Sequence, residues 1–355
     1  MNSSQAYLEM ALAAAQLKRG FCAPNPSVGA VIVNREGAVI ATGHHNGPGT
    51  AHAEINALQQ ITNVTDDMTL YVTLEPCCHY GRTPPCTEAI IQSGLKRVIF
   101  AYQDPNPMVA GKGALRLNAA GIKCEHLPLP STNAFYQSYA RWHRLGLPFV
   151  TAKLAMTMNG KIAGQQGERI QITGQELQIV THQYRKQADA LLTSAKTVQA
   201  DNPLFNVRLS DETWTKPLYV LDRTLCIDPT ANVFSSAKSV VLLHAPSVTP
   251  AKIQAFTARG IRCVSINEDQ ARLNLSEVLH VVGQDGVHDL WIEAGGVLTS
   301  QFIQEDLLQR CLLYVAPTWL EHGLDALLFD VEQKFGTANF CWQKYGDDFV
   351  ADILF

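Results

Sequence analysis

Two short segments constrain this chain most: His52-Ala53-Glu54, and Pro76-Cys77 with Cys86 beyond it. An imidazole and two thiolates bind zinc when a fold brings them to one point, and three protein ligands leave a fourth position for water. Zinc lowers the pKa of such a water towards neutrality. A carboxylate that does not bind the metal can then move the protons. His52 and Glu54 divide these roles if a helix starts between them, one side chain turned to metal and the other to substrate. The fold must therefore deliver a helix start and a strand end to the same place.

Residues 78–85, between the two thiols, are rich in polar and turn-forming types and read as a loop. Cys77, Cys78, His79 and Cys86 are the candidate ligands around it. Cys77 and Cys86 are favoured, because each follows a proline and Cys86 opens an apolar helical run over residues 87–93. A closed structural site with His79 as fourth ligand is the competing arrangement. It would leave Glu54 beside His52 without a purpose.

Ser3 or Ser4 can cap a first helix carrying Leu8, Leu12 and Ala15, ending at Gly20. Pro24-Asn25-Pro26-Ser27-Val28-Gly29 is a rigid turn in which Asn25, held extended, can aim its amide at a ring edge. Strands are expected over 30–33, 39–43, 69–74, 97–101 and 122–125, with helices at 87–93 and 114–120 between the later ones. Of His44 and His45, one is expected to face the pocket. Asp104-Pro105-Asn106-Pro107 sits at a strand's carboxyl end, where open α/β sheets bind ligands. This is the pattern of an α/β/α sandwich. The helix through Arg144 and the segment Leu145-Gly146-Leu147-Pro148 mark a join, and Phe135, Tyr136, Tyr139 and Trp142, at helical spacing, are expected to pack between domains.

Beyond the join the β/α alternation restarts, with strands expected over 149–156, 190–193, 218–221, 240–244, 263–266, 290–293 and 312–315. No Gly-x-Gly-x-x-Gly fingerprint supports a Rossmann half. Glu293-Ala294-Gly295-Gly296 is instead a glycine turn before a helix from Thr299, which lets phosphate approach backbone N–H groups.

A length of 355 residues suggests two domains, 1–146 and 147–355. No apolar run reaches the ~18 residues of a membrane span, and the amino terminus lacks the basic and apolar regions of a secretory signal. Nine scattered cysteines then point to a reducing cytoplasm rather than a disulfide framework. A net charge of −4, without basic stripes or stacking aromatics, weighs against a nucleic-acid-editing deaminase. A small-molecule substrate and a homo-oligomer are expected, with neither nucleic acid nor membrane as partner.

Together these residues resemble the bifunctional riboflavin-biosynthesis deaminase–reductases of bacteria over nearly the whole chain. In the first domain the resemblance rests on the segments around Asn25, His52, Thr73-Leu74-Glu75-Pro76-Cys77, Cys86 and Asp104. In the second it rests on Lys153-Leu154-Ala155-Met156, Asp189-Ala190-Leu191-Leu192-Thr193, Thr197-Val198-Gln199-Ala200-Asp201-Asn202-Pro203, Val207-Arg208 and Glu293-Ala294-Gly295-Gly296. It implies a cytidine-deaminase-like α/β/α sandwich followed by a dihydrofolate-reductase-like α/β domain. The first would remove the ring amino group of a diaminopyrimidinone carrying phosphoribosylamine; the second would use NADPH to turn the ribosyl chain into ribityl. Carried over, His52, Cys77 and Cys86 hold zinc (Zn2+) and Glu54 shuttles protons. Asn25, His45, His79 and Arg82 contact the substrate, with Arg82 suited to its phosphate. Lys153, Arg185, Asp201, Arg208 and Glu293 hold the reductase substrate, and Thr197, Gly295 and Gly296 line the NADPH side. Three positions depart from the family: Asn159 replaces the usual aspartate, Arg169 a small residue and Gln171 a tryptophan. The last two are expected to remodel one wall of the reductase pocket, which leaves a deaminase with a drifted reductase domain as the alternative.

Overall fold

Alternate residues of the first strand, β1 (Gly29–Val33), enter two different cores, which makes the first part of the chain a three-layer structure. Ala30 and Ile32 pack on one side of the sheet; Val31 and Val33 pack on the other. A strand covered on both faces reads as an unbroken apolar run, as Gly29-Ala30-Val31-Ile32-Val33 does. The computed structural model divides into two compact units, Met1–Leu147 and Pro148–Phe355. It describes residues 3–80, 84–168, 170–210, 212–328, 334–336 and 338–355. Arg82 and Arg169 lie outside the described residues.

In the first unit, β1 is joined by β2 (Val39–His44), β3 (Thr69–Leu74), β4 (Arg97–Tyr102) and β5 (Lys123–His126), in the order β2-β1-β3-β4-β5. β1 runs antiparallel to both its neighbours, and β3, β4 and β5 are parallel. Helices α1 (Ser3–Gln16) and α5 (Pro130–Leu145) cover one face, while α2 (Ala53–Leu58), α3 (Cys86–Ser93) and α4 (Lys112–Ala119) cover the other. α1 ends before the expected Gly20. Lys18 and Arg19 donate to carbonyls three residues back, at Ala15 and Gln16, so the chain leaves the helix through tighter turns.

Both helices beside the β1–β2 hairpin lie against glycine. A methyl group on Gly29 would stand 2.0 Å from the Ala11 carbonyl oxygen of α1, and one on Gly43 2.2 Å from that of Ala53 in α2. Three of the α5 aromatic residues correct the expectation of an interdomain role. Phe135, Tyr136 and Tyr139 belong to the first unit's own core, against Tyr71, Leu74 and Ile99.

The second unit is built on a nine-stranded sheet. Its strands are β6 (Phe149–Thr157), β7 (Ala190–Ser194), β8 (Pro217–Leu221), β9 (Ser239–His244), β10 (Arg262–Ser265), β11 (Asp289–Glu293), β12 (Arg310–Ala316), β13 (Asn339–Tyr345) and β14 (Asp348–Leu354). Their order is β10-β9-β8-β7-β11-β6-β12-β14-β13. All pairings from β10 to β12 are parallel, and the closing β13–β14 hairpin is antiparallel. That hairpin goes beyond the strands expected from sequence: β13 is an edge strand with six of its seven residues exposed, so no buried face writes an alternating pattern into it. Among the connecting helices are α6 (Gln175–Gln187), α7 (Ala195–Asp201), the single turn α8 (Val233–Ser236), α9 (Pro250–Thr257), α10 (Leu275–Gln284) and α11 (Gly296–Gln304).

Asn159 is accounted for by this fold. Its Nδ2 donates to the Leu320 carbonyl at 2.6 Å, while its Oδ1 accepts from the Leu320 N–H at 3.3 Å and the Thr157 hydroxyl at 2.7 Å. An ionised aspartate could only accept here, whereas the amide both donates and accepts. Gln171 is exposed and folds back to donate to the Thr173 carbonyl at 2.7 Å.

Candidate active site

His52 is the residue before α2, and Cys86 is the first residue of α3. Cys77 follows β3 by a short run that α4 holds in place. The buried Glu75 carboxylate accepts N–H groups of Gly111 and Ala114 at the start of α4, at 2.9 and 3.1 Å. Gly113 lets that helix lie on the Pro76 carbonyl, which a methyl group would approach to 2.1 Å. The three ligand atoms consequently converge: His52 Nδ1 stands 3.1 Å from Cys86 Sγ and 3.5 Å from Cys77 Sγ, with all three within 4.8 Å of one another. Zinc at its usual bond lengths needs such donors about 3.6–3.8 Å apart. The set fits the ion.

The chemistry of the donors agrees. A hydrogen bond from Cys86 pulls the Cys77 thiol down and pushes the Cys86 thiol up, so the pair shares one proton, and the backbone N–H of Cys86 at the start of α3 also donates to the Cys77 sulfur at 3.3 Å. Cys78 is outside the cluster, and burial followed by the Cys77 charge pushes its thiol up. His79 is also outside it, which removes the closed four-ligand arrangement among the described residues.

Glu54, one residue into α2, is 3% exposed and lines a cavity of about 350 Å³ beside the three ligands. Burial, then the charge of Cys77, raises its pKa, so the carboxyl is poised to hold a proton. Across the cavity, His45 Nδ1 bonds the Ala51 carbonyl at 3.1 Å, which makes that nitrogen the donor and leaves Nε2 to accept from the Asn25 amide at 3.1 Å. The Asn25 loop is tied down by Tyr136, whose hydroxyl donates to the Ser27 carbonyl at 3.0 Å. His79 lines the cavity too, and its buried Nδ1 has no hydrogen-bond partner among the described residues.

Four further residues line the cavity: Asp104, from the loop expected at the sheet's ligand-binding edge, Tyr139 and Trp142, expected from sequence only to pack between domains, and His143, given no role from sequence. Asp104, pushed up to about 7 by burial, accepts the Asn106 N–H at 2.8 Å, and Tyr139, Trp142 and His143 come from α5. Continuation of one helical face from Tyr139 to Trp142 and His143 was the available signal.

In the second unit, Arg185 of α6 and Glu293 at the end of β11 are buried against each other, and Lys153 pairs in register with Glu293 from the adjacent β6. Burial lowers the Lys153 pKa, against the pull of Glu293. His182, one residue along from Thr181 on α6, accepts the Arg208 N–H at 3.2 Å, and burial with Arg185 and Arg208 nearby depresses it to about 4. Arg208 and Asp201 are exposed. Thr197 donates its N–H to the Ser194 hydroxyl at the start of α7. Gly295 and Gly296 open α11, where a methyl group on Gly296 would meet the Ala326 carbonyl at 2.3 Å.

Comparison with known proteins agrees with this geometry. Residues 1–102 match the cytidine and deoxycytidylate deaminase zinc-binding region, and residues 148–335 match the RibD C-terminal domain. The riboflavin biosynthesis protein RibD of Bacillus amyloliquefaciens is 36% identical over 313 residues, covering 88% of this chain and 84% of its own. A structure of Acinetobacter baumannii RibD superposes with a TM-score of 0.88 at 31% identity, covering 99% of this chain and 98% of its own. A Thermotoga maritima diaminohydroxyphosphoribosylaminopyrimidine deaminase/5-amino-6-(5-phosphoribosylamino)uracil reductase gives 0.86 at 27% identity, with the same coverage. The first unit thus carries a cytidine-deaminase-type zinc-binding region and the second a RibD C-terminal domain, with a zinc site at His52, Cys77 and Cys86. With one relative matched across both units and the metal donors in place, the chain belongs to the RibD family of riboflavin-biosynthesis deaminase–reductases.

Proposed function

We propose that the first unit hydrolyses the ring amino group of 2,5-diamino-6-(5-phosphoribosylamino)pyrimidin-4-one and that the second reduces the ribosyl chain of the product to ribityl with NADPH. The observation that carries the first half is the buried Glu54 carboxyl opening into the cavity beside the three convergent metal donors. Zinc held there supplies a water acidic enough to ionise near neutral pH. Glu54 would accept one proton at its carboxylate and deliver it to the ring nitrogen, then take a second from the hydroxyl added at the ring carbon and deliver it to the amino group as it leaves as ammonia. Asn25, held by His45, presents its remaining amide groups to the ring edge, and His79 offers its unpartnered Nδ1 to the substrate.

For the reductase, Lys153, Arg185 and His182 stand around Glu293, with Arg208 beside His182, and these cationic or hydrogen-bond-donating groups suit a phosphorylated substrate. NADPH supplies the hydride. Thr197, Gly295 and Gly296 would lie on the cofactor's side, with Asp201 and Arg208 at the open rim towards substrate. Because Arg185 and Glu293 bind each other, they would act on substrate as one unit. The same reading makes the enzyme a cytoplasmic homo-oligomer. No described helix is long and apolar enough to cross a membrane.

The test supplies the diaminopyrimidinone to purified protein with and without NADPH. Ammonia should be released in both cases, and NADPH should be oxidised in step with ribityl product. Ammonia without NADPH oxidation would limit the activity to the first unit.

A further inference from the structure

His182 and Arg185 stand three residues apart on α6 and so share one face of it. Both side chains reach the segment Phe205–Arg208. Arg185 Nη1 donates to the Asn206 carbonyl at 2.9 Å, and its guanidinium lies over the Phe205 ring, 5.4 Å from the centroid. His182 Nδ1 accepts the Arg208 N–H at 3.2 Å, and the Asn206 carbonyl faces the same imidazole.

That segment is held in a conformation it would not choose alone. Phe205 has a φ of 49°, in the left-handed region, which a bulky residue adopts only where its surroundings fix it. The strand that follows, Val207–Leu209, pairs with Glu212–Trp214 in a two-stranded ribbon apart from the nine-stranded sheet. The bonds from α6 therefore tie the segment to Glu293, which Arg185 grips with its other nitrogens. Arg208 is exposed, and its Nη1 turns back to Asn206 Oδ1. A guanidinium on a long stem is placed only as well as the backbone beneath it. Burial, then Arg185 and Arg208, keeps His182 neutral at working pH, so the Nδ1 lone pair stays free to take the N–H.

Building on the reductase reading above, in which Arg208 binds the phosphorylated substrate, we propose that His182 is a positioning residue of the second active site. By accepting the Arg208 N–H it fixes where that guanidinium stands before substrate arrives. Its effect on substrate runs through Arg208.

Reduction of the deaminated intermediate by full-length protein, followed as NADPH oxidation, tests this. His182→Ala should raise KM for the intermediate about ten-fold, with kcat within about two-fold and KM for NADPH unchanged. His182→Asn, whose amide oxygen can take the place of Nδ1, should bring KM back to within about three-fold of wild type. His182→Gln, whose oxygen stands nearer the place of Nε2, should be as impaired as the alanine variant, and replaces it if that variant does not fold. Arg208→Ala should raise the same KM, and His182→Ala added to it should change KM by less than about two-fold. Full additivity in the double variant would give His182 a substrate contact of its own and overturn the proposal. So would a His182→Asn variant as impaired as His182→Ala, an equal rise in KM for NADPH, or a fall in kcat at constant KM. Wild-type protein that oxidises no NADPH would instead overturn the reductase reading on which the proposal rests.

Discussion

Arg185 grips Glu293 with two nitrogens, Nη2 reaching Oε2 at 2.8 Å, although the residues are 108 positions apart. The Trp291 indole N–H adds a third bond to the same carboxylate at 2.7 Å. Burial alone would push Glu293 up, but the Arg185 guanidinium and then Lys153 outweigh it and hold the carboxyl at about 2. A folded pKa below the unfolded one stabilises above the unfolded value and is lost as pH falls through the folded one. Between about pH 5 and pH 2 the second unit should therefore lose roughly 3 kcal/mol from this group. Glu293→Gln should flatten that part of the pH dependence of urea unfolding. An unaltered pH profile in the variant would rule out Glu293 as its source.

Glu54→Gln should retain zinc and fold while cutting deamination by ~10²–10⁴-fold or more, because the amide keeps the shape and loses the proton acceptor. NADPH-dependent reduction of supplied deaminated intermediate should persist, since the second unit has its own core and its own charged cluster. Ammonia release within a few-fold of wild type would transfer the proton role elsewhere.

The adjacent cysteines should behave differently. Cys77 lies in the donor cluster and Cys78 does not. Metal analysis of Cys78→Ser should give about one zinc per chain, whereas Cys77→Ser should lose both the ion and deamination. The opposite pattern would exchange their assignments.

Asn159→Asp should weaken this protein. The bond from Nδ2 to the Leu320 carbonyl would be replaced by two facing oxygens. A cost of about 1–3 kcal/mol is expected, read as a lower denaturation midpoint and faster amide exchange at Leu320. Unchanged stability would mean that the segment around Leu320 is held by its other bonds.

The metal centre was legible because its chemistry admits few residue types, and because prolines before Cys77 and Cys86 marked where strand and helix give way to loop. Tyr139 and Trp142 were harder to place: a helix shows the same apolar period whether it covers its own sheet or another surface. The reason for Asn159 was beyond local reading altogether, since its partner Leu320 is 161 residues away. The β13–β14 hairpin escaped for a related reason, having an exposed outer strand whose pairing is mostly backbone.

Gly43 gives the metal centre a dimensional tolerance set outside it. Its missing methyl allows the Ala53 carbonyl, one peptide from His52, to rest directly on β2. An alanine there would have to lift the start of α2, carrying an imidazole away from two thiols anchored on other elements. Zinc affinity should then fall in Gly43→Ala although no ligand, and no residue touching substrate, has changed. The reach of the coordination bonds is thereby calibrated by the absence of a side chain on a neighbouring strand.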